Sequence, residues 1–371
     1  MSLDGVESSQ SDLTTSSHYH TLAASMTYVA YPTQFTVPDI AGYTSNFFKS
    51  RCNPHICEAE ASSHEWFDGY GIYSGTTRRK FYESRFCLLA ALCYPDADLE
   101  HIRPAMDFFL WTFAFDEMAD LGEFSPEKLK SAVDVTMNAL RDPDAPQPDL
   151  KIVSVLQSYS KRMRLNGSHR AFQHFVDALD DYNRAIIEES IRMTKNYVET
   201  IDEYTAARRD TSGFKQTFAM LEYAHCLDIP DEIHRHPIIN ELAIAGGDIL
   251  AWANDIYSFP AEHSHGQLHN FVYVVMWNNR VDLQGAVDYV YQRIQMRVQE
   301  YVTLKAQVPS FGPHMDDQIS RYIQGIEYVV QGCIEWYTVT PRYLGANARD
   351  VRETGVVKLR APMKQDEMVI L

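Results

Sequence analysis

The sequence predicts an all-α protein built as a single domain. Apolar residues recur at spacings of three and four over long segments, and alternating strand patterns are nearly absent. Turn signals such as Tyr94-Pro95-Asp96, Asp142-Pro143-Asp144-Ala145-Pro146 and Ile229-Pro230-Asp231 fall between those segments, where helices must end. With 371 residues, 45% of them apolar, there is ample material for one large core. No internal repeat, Gly-Ser linker or abrupt change of composition divides the chain.

Residues 1–25 are rich in Ser, Thr and Asp and poor in apolar anchors, the composition of a disordered leader. The domain is expected over 26–345. Its first clear helix carries the stripe Leu99, Ile102, Met106, Phe109 and Phe113. Further helical stretches are expected over 171–197, 241–256, 283–302 and 317–336. Residues 346–371 mix charges without a helical stripe and are expected to form a loose tail or a lid.

Charge narrows the function. Fifty acidic residues against 33 basic ones give a formal net charge of −17. That excludes a general nucleic-acid footprint and electrostatic attachment to anionic lipid. The longest apolar run, Phe271 to Trp277, is too short to span a membrane, so no membrane insertion is expected. The N-terminal stretch lacks a basic region followed by an apolar core, and the six cysteines are scattered. A cytoplasmic protein, monomer or homodimer, is the expectation.

The apolar stripe does not end in polar surface. Continued by three and four residues it reaches Asp116 and Asp120, within Phe115-Asp116-Glu117-Met118-Ala119-Asp120. Both carboxylates should therefore point inward, where unpaired charge is costly and a cation must meet them. Hard oxygen ligands on one helix face suit Mg²⁺, although a solvated acidic helix end has the same pattern. A second stripe holds Asn254, Ser258 and Glu262 at i, i+4 and i+8, continued backward by Leu250, Gly247 and Ala243. An amide oxygen, a hydroxyl and a carboxylate in a row again suit Mg²⁺; capping and surface polarity are the plainer alternative.

Together the two stripes resemble the metal-binding motifs of class I terpene synthases: D(D/E)xxD at Asp116-Glu117-Met118-Ala119-Asp120, and NDxxSxxxE from Asn254 to Glu262. Leu88-Leu-Ala-Ala-Leu-Cys-Tyr-Pro-Asp96, the aromatic run before Asp116 and His269-Asn-Phe-Val272 look like the basidiomycete type of fungal sesquiterpene synthase. The resemblance covers residues 35–345 and implies the class I terpenoid synthase helical bundle. It implies a carbon–oxygen lyase that ionises and cyclises farnesyl diphosphate with three Mg²⁺ ions, Mn²⁺ being an alternative. Geranyl or geranylgeranyl diphosphate, or an inactive scaffold of the same fold, are the competing readings.

By position, the resemblance also carries a diphosphate-sensing arginine onto Arg208, 46 positions before Asn254, with Thr211 and Ser212 at the helix break that follows. A diphosphate-binding Arg-Tyr pair falls on Arg342 and Tyr343. Arginine suits the task because its planar fork binds phosphate oxygens bidentately. Phe113 and Trp336 are the expected pocket aromatics, able to face a carbocation.

The chain departs from the family pattern in three places: Glu117 replaces a second Asp, Ala261 stands where a Lys is usual, and Pro260 interrupts the second stripe. Three other constellations are set aside. Cys52-Asn-Pro-His55-Ile-Cys57 lacks zinc-finger spacing, and His263, His265 and His269 read as a loop with substrate-proximal histidines. Asp180-Asp-Tyr-Asn-Arg184 lacks the third acid that a chain-elongating prenyl transferase would carry.

Overall fold

A computed structural model describes residues 32–359, apart from 121–125, 143, 147–148, 194–197 and 265–268; the Asp120 side chain also lies outside the described part. The expected 1–25 leader is outside it too.

The described chain is helical, with one minor addition. It opens with a short strand, β1 (Gln34–Thr36), and the helices α1 (Ile40–Thr44), α2 (Ile56–Asp68), α3 (Gly75–Glu83) and α4 (Phe86–Cys93). The acid-bearing helix is α5 (Leu99–Asp120), followed by α6 (Pro126–Arg141), α7 (Lys151–Asn166) and α8 (His169–Met193). Then come α9 (Ile201–Thr211), α10 (Phe214–Ala224), α11 (Asp231–His234) and α12 (Pro237–Ser264). The chain continues through α13 (Phe271–Asn279), α14 (Leu283–Lys305), α15 (Pro313–Val339), α16 (Pro341–Leu344) and α17 (Ala348–Thr354) to a second strand, β2 (Val356–Lys358).

These helices form where the sequence supplies both a stripe and a start signal. In α14 the residues Leu283, Val287, Val290, Ile294, Val298 and Tyr301 are all buried at helical spacing, and Asp282 caps the first turn through the Gly285 N–H. Helix α9 starts in a capping box, with Thr200 and Glu203 satisfying each other's backbone N–H groups. At the centre lies α10, buried on nearly every side, which packs against α5, α8, α12 and α15. A helix so enclosed must be apolar all round; the buried Glu222 on it is an exception, taken up below.

Helix α12 runs past the expected end at residue 256, through Pro260, to Ser264. Proline removes one N–H and costs about 3 kcal/mol in a helix interior. Burial of the neighbouring Tyr257 and Phe259 offsets that cost, each such ring contributing about 2–3 kcal/mol. The stretch expected as a loose tail or lid is structured as far as Leu359: α17 packs on α15, and β2 pairs antiparallel with β1, Val357 opposite Phe35. Among the described residues no helix is long and apolar enough to cross a membrane.

Candidate active site

Asp116 and Glu117 stand in the last turns of α5, where the helix dipole is unfavourable to negative charge. Their compensation comes from α16. The Arg342 guanidinium pairs with Glu117 and reaches to 3.5 Å from Asp116 Oδ2, while the Tyr73 hydroxyl donates to Glu117 Oε2 at 3.1 Å. The guanidinium lies over the Phe113 ring, 5.1 Å from its centre, and near Phe86, 5.8 Å away. The two rings are stacked at 4.2 Å. The Asp116 side chain is 41% accessible, so water reaches it. Loss of bulk solvent pushes its carboxyl above the usual range; Arg342 opposes the shift and Glu117 adds to it.

The second stripe is held from α9. Arg208 donates through Nη2 to Asn254 Oδ1 at 2.9 Å and, through Nη2 and Nε, to Asp255 Oδ1 at 2.8 and 3.1 Å. The Tyr204 hydroxyl donates to the other Asp255 oxygen at 2.8 Å. Burial opposes the Arg208 charge, but Asp255 outweighs it and keeps the guanidinium firmly protonated. Asn254 Nδ2 donates to the Tyr343 hydroxyl at 3.1 Å. Consecutive residues of α16 therefore touch both stripes: Arg342 reaches the α5 acids, and Tyr343 reaches Asn254.

One further residue organises the second stripe. Asn270 caps α13 by accepting from the Val272 N–H, and its Nδ2 donates to Glu262 Oε2 at 2.9 Å and the Asp255 carbonyl at 2.7 Å. The same nitrogen lies 3.5 Å from Ser258 Oγ. Burial and then Asp255 push the Glu262 carboxyl upward, partly offset by Asn270 and Arg208. Beside this group, His269 lies between Glu189 at 2.5 Å and Glu199 at 3.2 Å, with its ring 4.9 Å from that of Tyr204. Burial disfavours its charge, but the two carboxylates prevail and raise it to about 9.

The helix break falls where the sequence places it. Helix α9 ends at Thr211, Gly213 takes a left-handed conformation (φ +79°), and α10 begins at Phe214. The Thr211 and Ser212 hydroxyls are buried and have no hydrogen-bond partner among the described residues.

Sequence reasoning thus places Asp116, Asn254, Ser258, Glu262, Arg208, Arg342, Tyr343 and Phe113 in one connected region. Trp336 is a correction. It has no exposed surface, and its indole N–H is spent on the Ser84 and Arg85 carbonyls at 2.9 and 3.1 Å. It stands behind Phe113 and Tyr343 as their support, because an indole N–H in a core must find an acceptor and here finds two. Tyr73, Tyr204, Asp255 and Asn270 were missed as functional residues. Asn270 had a signal, an Asn immediately before the apolar Phe271-Val272, which is how an N-cap reads.

Of the constellations set aside, His269 borders the region through Tyr204, as a substrate-proximal histidine would, and the other described members stand apart from it. Asp180 and Asp181 pair with Arg141, Arg184 and Lys215. His263 is buried against the Tyr273 hydroxyl, Cys52 and Cys57 are free and exposed, and His265 lies outside the described residues.

The donor set fits a divalent metal. Asp116, Asn254, Ser258 and Glu262 offer only hard oxygens, and Asn254 Oδ1 keeps a second lone pair beside its bond from Arg208. The carboxyls of Asp116 and Glu262 both lie above the usual range despite nearby arginines. A helical bundle with oxygen donors on two helices and arginines behind them defines a class of protein, one built to hold a divalent metal against a polyanionic ligand.

Comparison with known proteins gives the family. Residues 107–300 match the profile described as terpene synthase family 2, C-terminal metal binding. The sesquiterpene synthase Agr1 of Cyclocybe aegerita is 32% identical over 323 residues, 87% of this chain and 92% of that protein. Sesquiterpene synthase 3 of Postia placenta is 34% identical over 306 residues, 82% and 83% of the two chains. The crystal structure of α-eudesmol synthase superposes with a TM-score of 0.71 at 20% identity, covering 78% of this chain and 97% of that one, a likeness of fold. The chain belongs to the terpene synthase family, as a fungal class I sesquiterpene synthase that acts on a small prenyl diphosphate and uses a divalent metal.

Proposed function

We propose that the protein converts farnesyl diphosphate to a cyclic sesquiterpene, hydrocarbon or alcohol, in a Mg²⁺-dependent carbon–oxygen lyase reaction, in the cytoplasm. Asp116, Asp120, Asn254, Ser258 and Glu262 hold the metal, three Mg²⁺ ions with Mn²⁺ as a substitute. Bound Mg²⁺ supplies Lewis-acid neutralisation of the diphosphate as its C–O bond breaks. The observation that carries this reading is the bridge made by α16, with Arg342 on the α5 acids and Tyr343 on Asn254.

The chain's own residues do the rest. Arg208, Arg342, Asn254 and Tyr343 direct donors at the diphosphate oxygens, which take the electron pair of the breaking bond. Phe113 presents its face to the allylic cation; such contacts stabilise by about 0.5–2 kcal/mol. Thr211 and Ser212, whose buried hydroxyls have no partner among the described residues, stand at the helix break and would turn toward the substrate as it binds. The apolar wall excludes water until the last cation loses a proton or is captured.

The test is incubation of the purified chain with farnesyl, geranyl or geranylgeranyl diphosphate, with Mg²⁺ or EDTA, reading products by gas chromatography–mass spectrometry. A cyclic sesquiterpene only with farnesyl diphosphate and Mg²⁺ is the expected result. Asp116→Ala and Asn254→Ala should each lower turnover by at least about 10²–10³-fold, the scale set by removing a charge-stabilising group. Phe113→Ala should change the product mixture more than the rate. Full activity in Asp116→Ala would overturn the metal assignment.

A further inference from the structure

Away from the α5 and α12 stripes, α8, α10 and α11 bring two histidines and a carboxylate together. Glu222, on the central helix α10, has no exposed surface. Its Oε2 lies 2.9 Å from His174 Nδ1 on α8, and its Oε1 lies 3.1 Å from His234 Nε2 at the end of α11. The two imidazoles are 4.4 Å apart between centroids, and one ligand atom from each of the three residues falls within 4.8 Å of the others. His174 Nε2 lies 3.2 Å from Asp231 Oδ1.

From this geometry we infer a second metal site, for Zn²⁺ or a similar first-row transition ion, with His174 Nδ1, His234 Nε2 and Glu222 as ligands and Asp231 as the outer carboxylate. A fully buried carboxylate flanked by two imidazoles presents one hard oxygen donor and two nitrogen donors whose combined charge a cation would neutralise. Neutral imidazole nitrogen selects Zn²⁺ and its neighbours in the periodic table over Mg²⁺, so the site is chemically distinct from the all-oxygen set of Asp116, Asn254, Ser258 and Glu262. Ligands of a tetrahedral Zn²⁺ at about 2.0–2.1 Å stand about 3.4 Å apart, so the two nitrogen–oxygen separations need open by only a few tenths of an ångström, and the two ring nitrogens lie within 4.8 Å of each other. Asp231 completes the carboxylate–histidine–metal arrangement by accepting from the far nitrogen of His174, which fixes the tautomer that leaves Nδ1 free to bind. The His234 side chain is 32% accessible and Asp231 half-exposed, so an ion can reach the cluster from the surface. Bound there, the ion ties α8 and α11 to the central helix that packs against both α5 and α12.

The test uses the untagged full-length chain, stripped with chelator and dialysed against Zn²⁺ in excess Mg²⁺. One equivalent of Zn²⁺ per chain should be retained, and Co²⁺ in its place should show the visible bands of a low-coordinate histidine site. His234→Gln should lose the equivalent and the bands. Asp231→Asn, a change at an exposed side chain, should weaken binding about ten- to a hundredfold. Asp116→Asn should retain the Zn²⁺. Zn²⁺ should raise the melting temperature of the wild type and not of His234→Gln, whose fold is checked by circular dichroism. Failure of the wild type to retain Zn²⁺ would leave only a shared proton in the cluster and overturn the inference. So would Co²⁺ bands that persist in His234→Gln or vanish in Asp116→Asn.

Discussion

Asn270 illustrates how much one amide decides. Its Nδ2 has two hydrogens and faces Glu262, the Asp255 carbonyl and Ser258, which ties the start of α13 to the Asn254–Ser258–Glu262 stripe. Asn270→Ala leaves Glu262 Oε2 without its donor, a cost of about 1–3 kcal/mol for a buried acceptor, and frees the carboxylate to turn. The expected outcome is a rate restored only at raised Mg²⁺, with Asn270→Asp worse because a second carboxylate would face Glu262. A metal titration of initial rates checks this; unchanged metal dependence in both variants would remove Asn270 from the site. Asp255 belongs to the same scale. Its carboxylate is engaged by Arg208 and Tyr204, so within the Asn254-Asp255 pair the Asn is left to face the pocket.

At the scale of elements, close approach of helices depends on missing side chains. A Cβ at Gly332 of α15 would come within 2.8–2.9 Å of the Leu92 carbonyl carbon, Cβ and carbonyl oxygen at the end of α4. Backbone cannot step aside as a flexible side chain can, so Gly332→Ala should cost about 1–3 kcal/mol despite the better helix propensity of alanine. Urea denaturation measures it, and a neutral or stabilising result would mean that α4 and α15 can separate freely. Gly247 on α12 is different: its Cβ would meet the Phe214 ring, about 2.5 Å away, the first residue after the helix break. The small residues noted on that face of α12 thus make room for the start of α10.

Across the whole molecule, two histidines of opposite kind act on stability at opposite ends of the pH scale. Burial pushes His225 down to about 4, whereas His269, despite burial, is lifted to about 9 by Glu189 and Glu199. A folded pKa below the unfolded value of about 6.5 gives stability that is whole above that pH and lost as pH falls toward 4. A raised one gives stability that is whole below about 6.5 and lost as pH rises toward 9. Each shift is worth about 3 kcal/mol, so stability should peak near pH 6.5. Chemical denaturation across pH 4–9 tests this: His225→Gln should flatten the acid limb and His269→Gln the alkaline one. Limbs unchanged in both variants would assign the profile to other groups.

Helical periodicity made the scaffold of the site legible. A period of 3.6 residues places Asp116 on the stripe that begins at Leu99, and Asn254, Ser258 and Glu262 on one face, whatever the helices pack against. Arg208, Arg342 and Tyr343 were legible only through the family resemblance, which is a pattern along the chain and not a matter of helical period. Helix ends were less so: α12 continued through Pro260 because burial of its neighbours outweighed one lost N–H.

Tertiary structure alone decided which partners meet. The Tyr73–Glu117, Tyr204–Asp255 and Asn270–Glu262 bonds join separate elements, and neither residue type nor spacing announces them. It also decided that Trp336 supports the pocket instead of lining it, and that His174, Glu222 and His234 converge from three helices. Local periodicity is written into a segment by its own residues. Convergence depends on how helices cross, which is fixed by packing over the whole core.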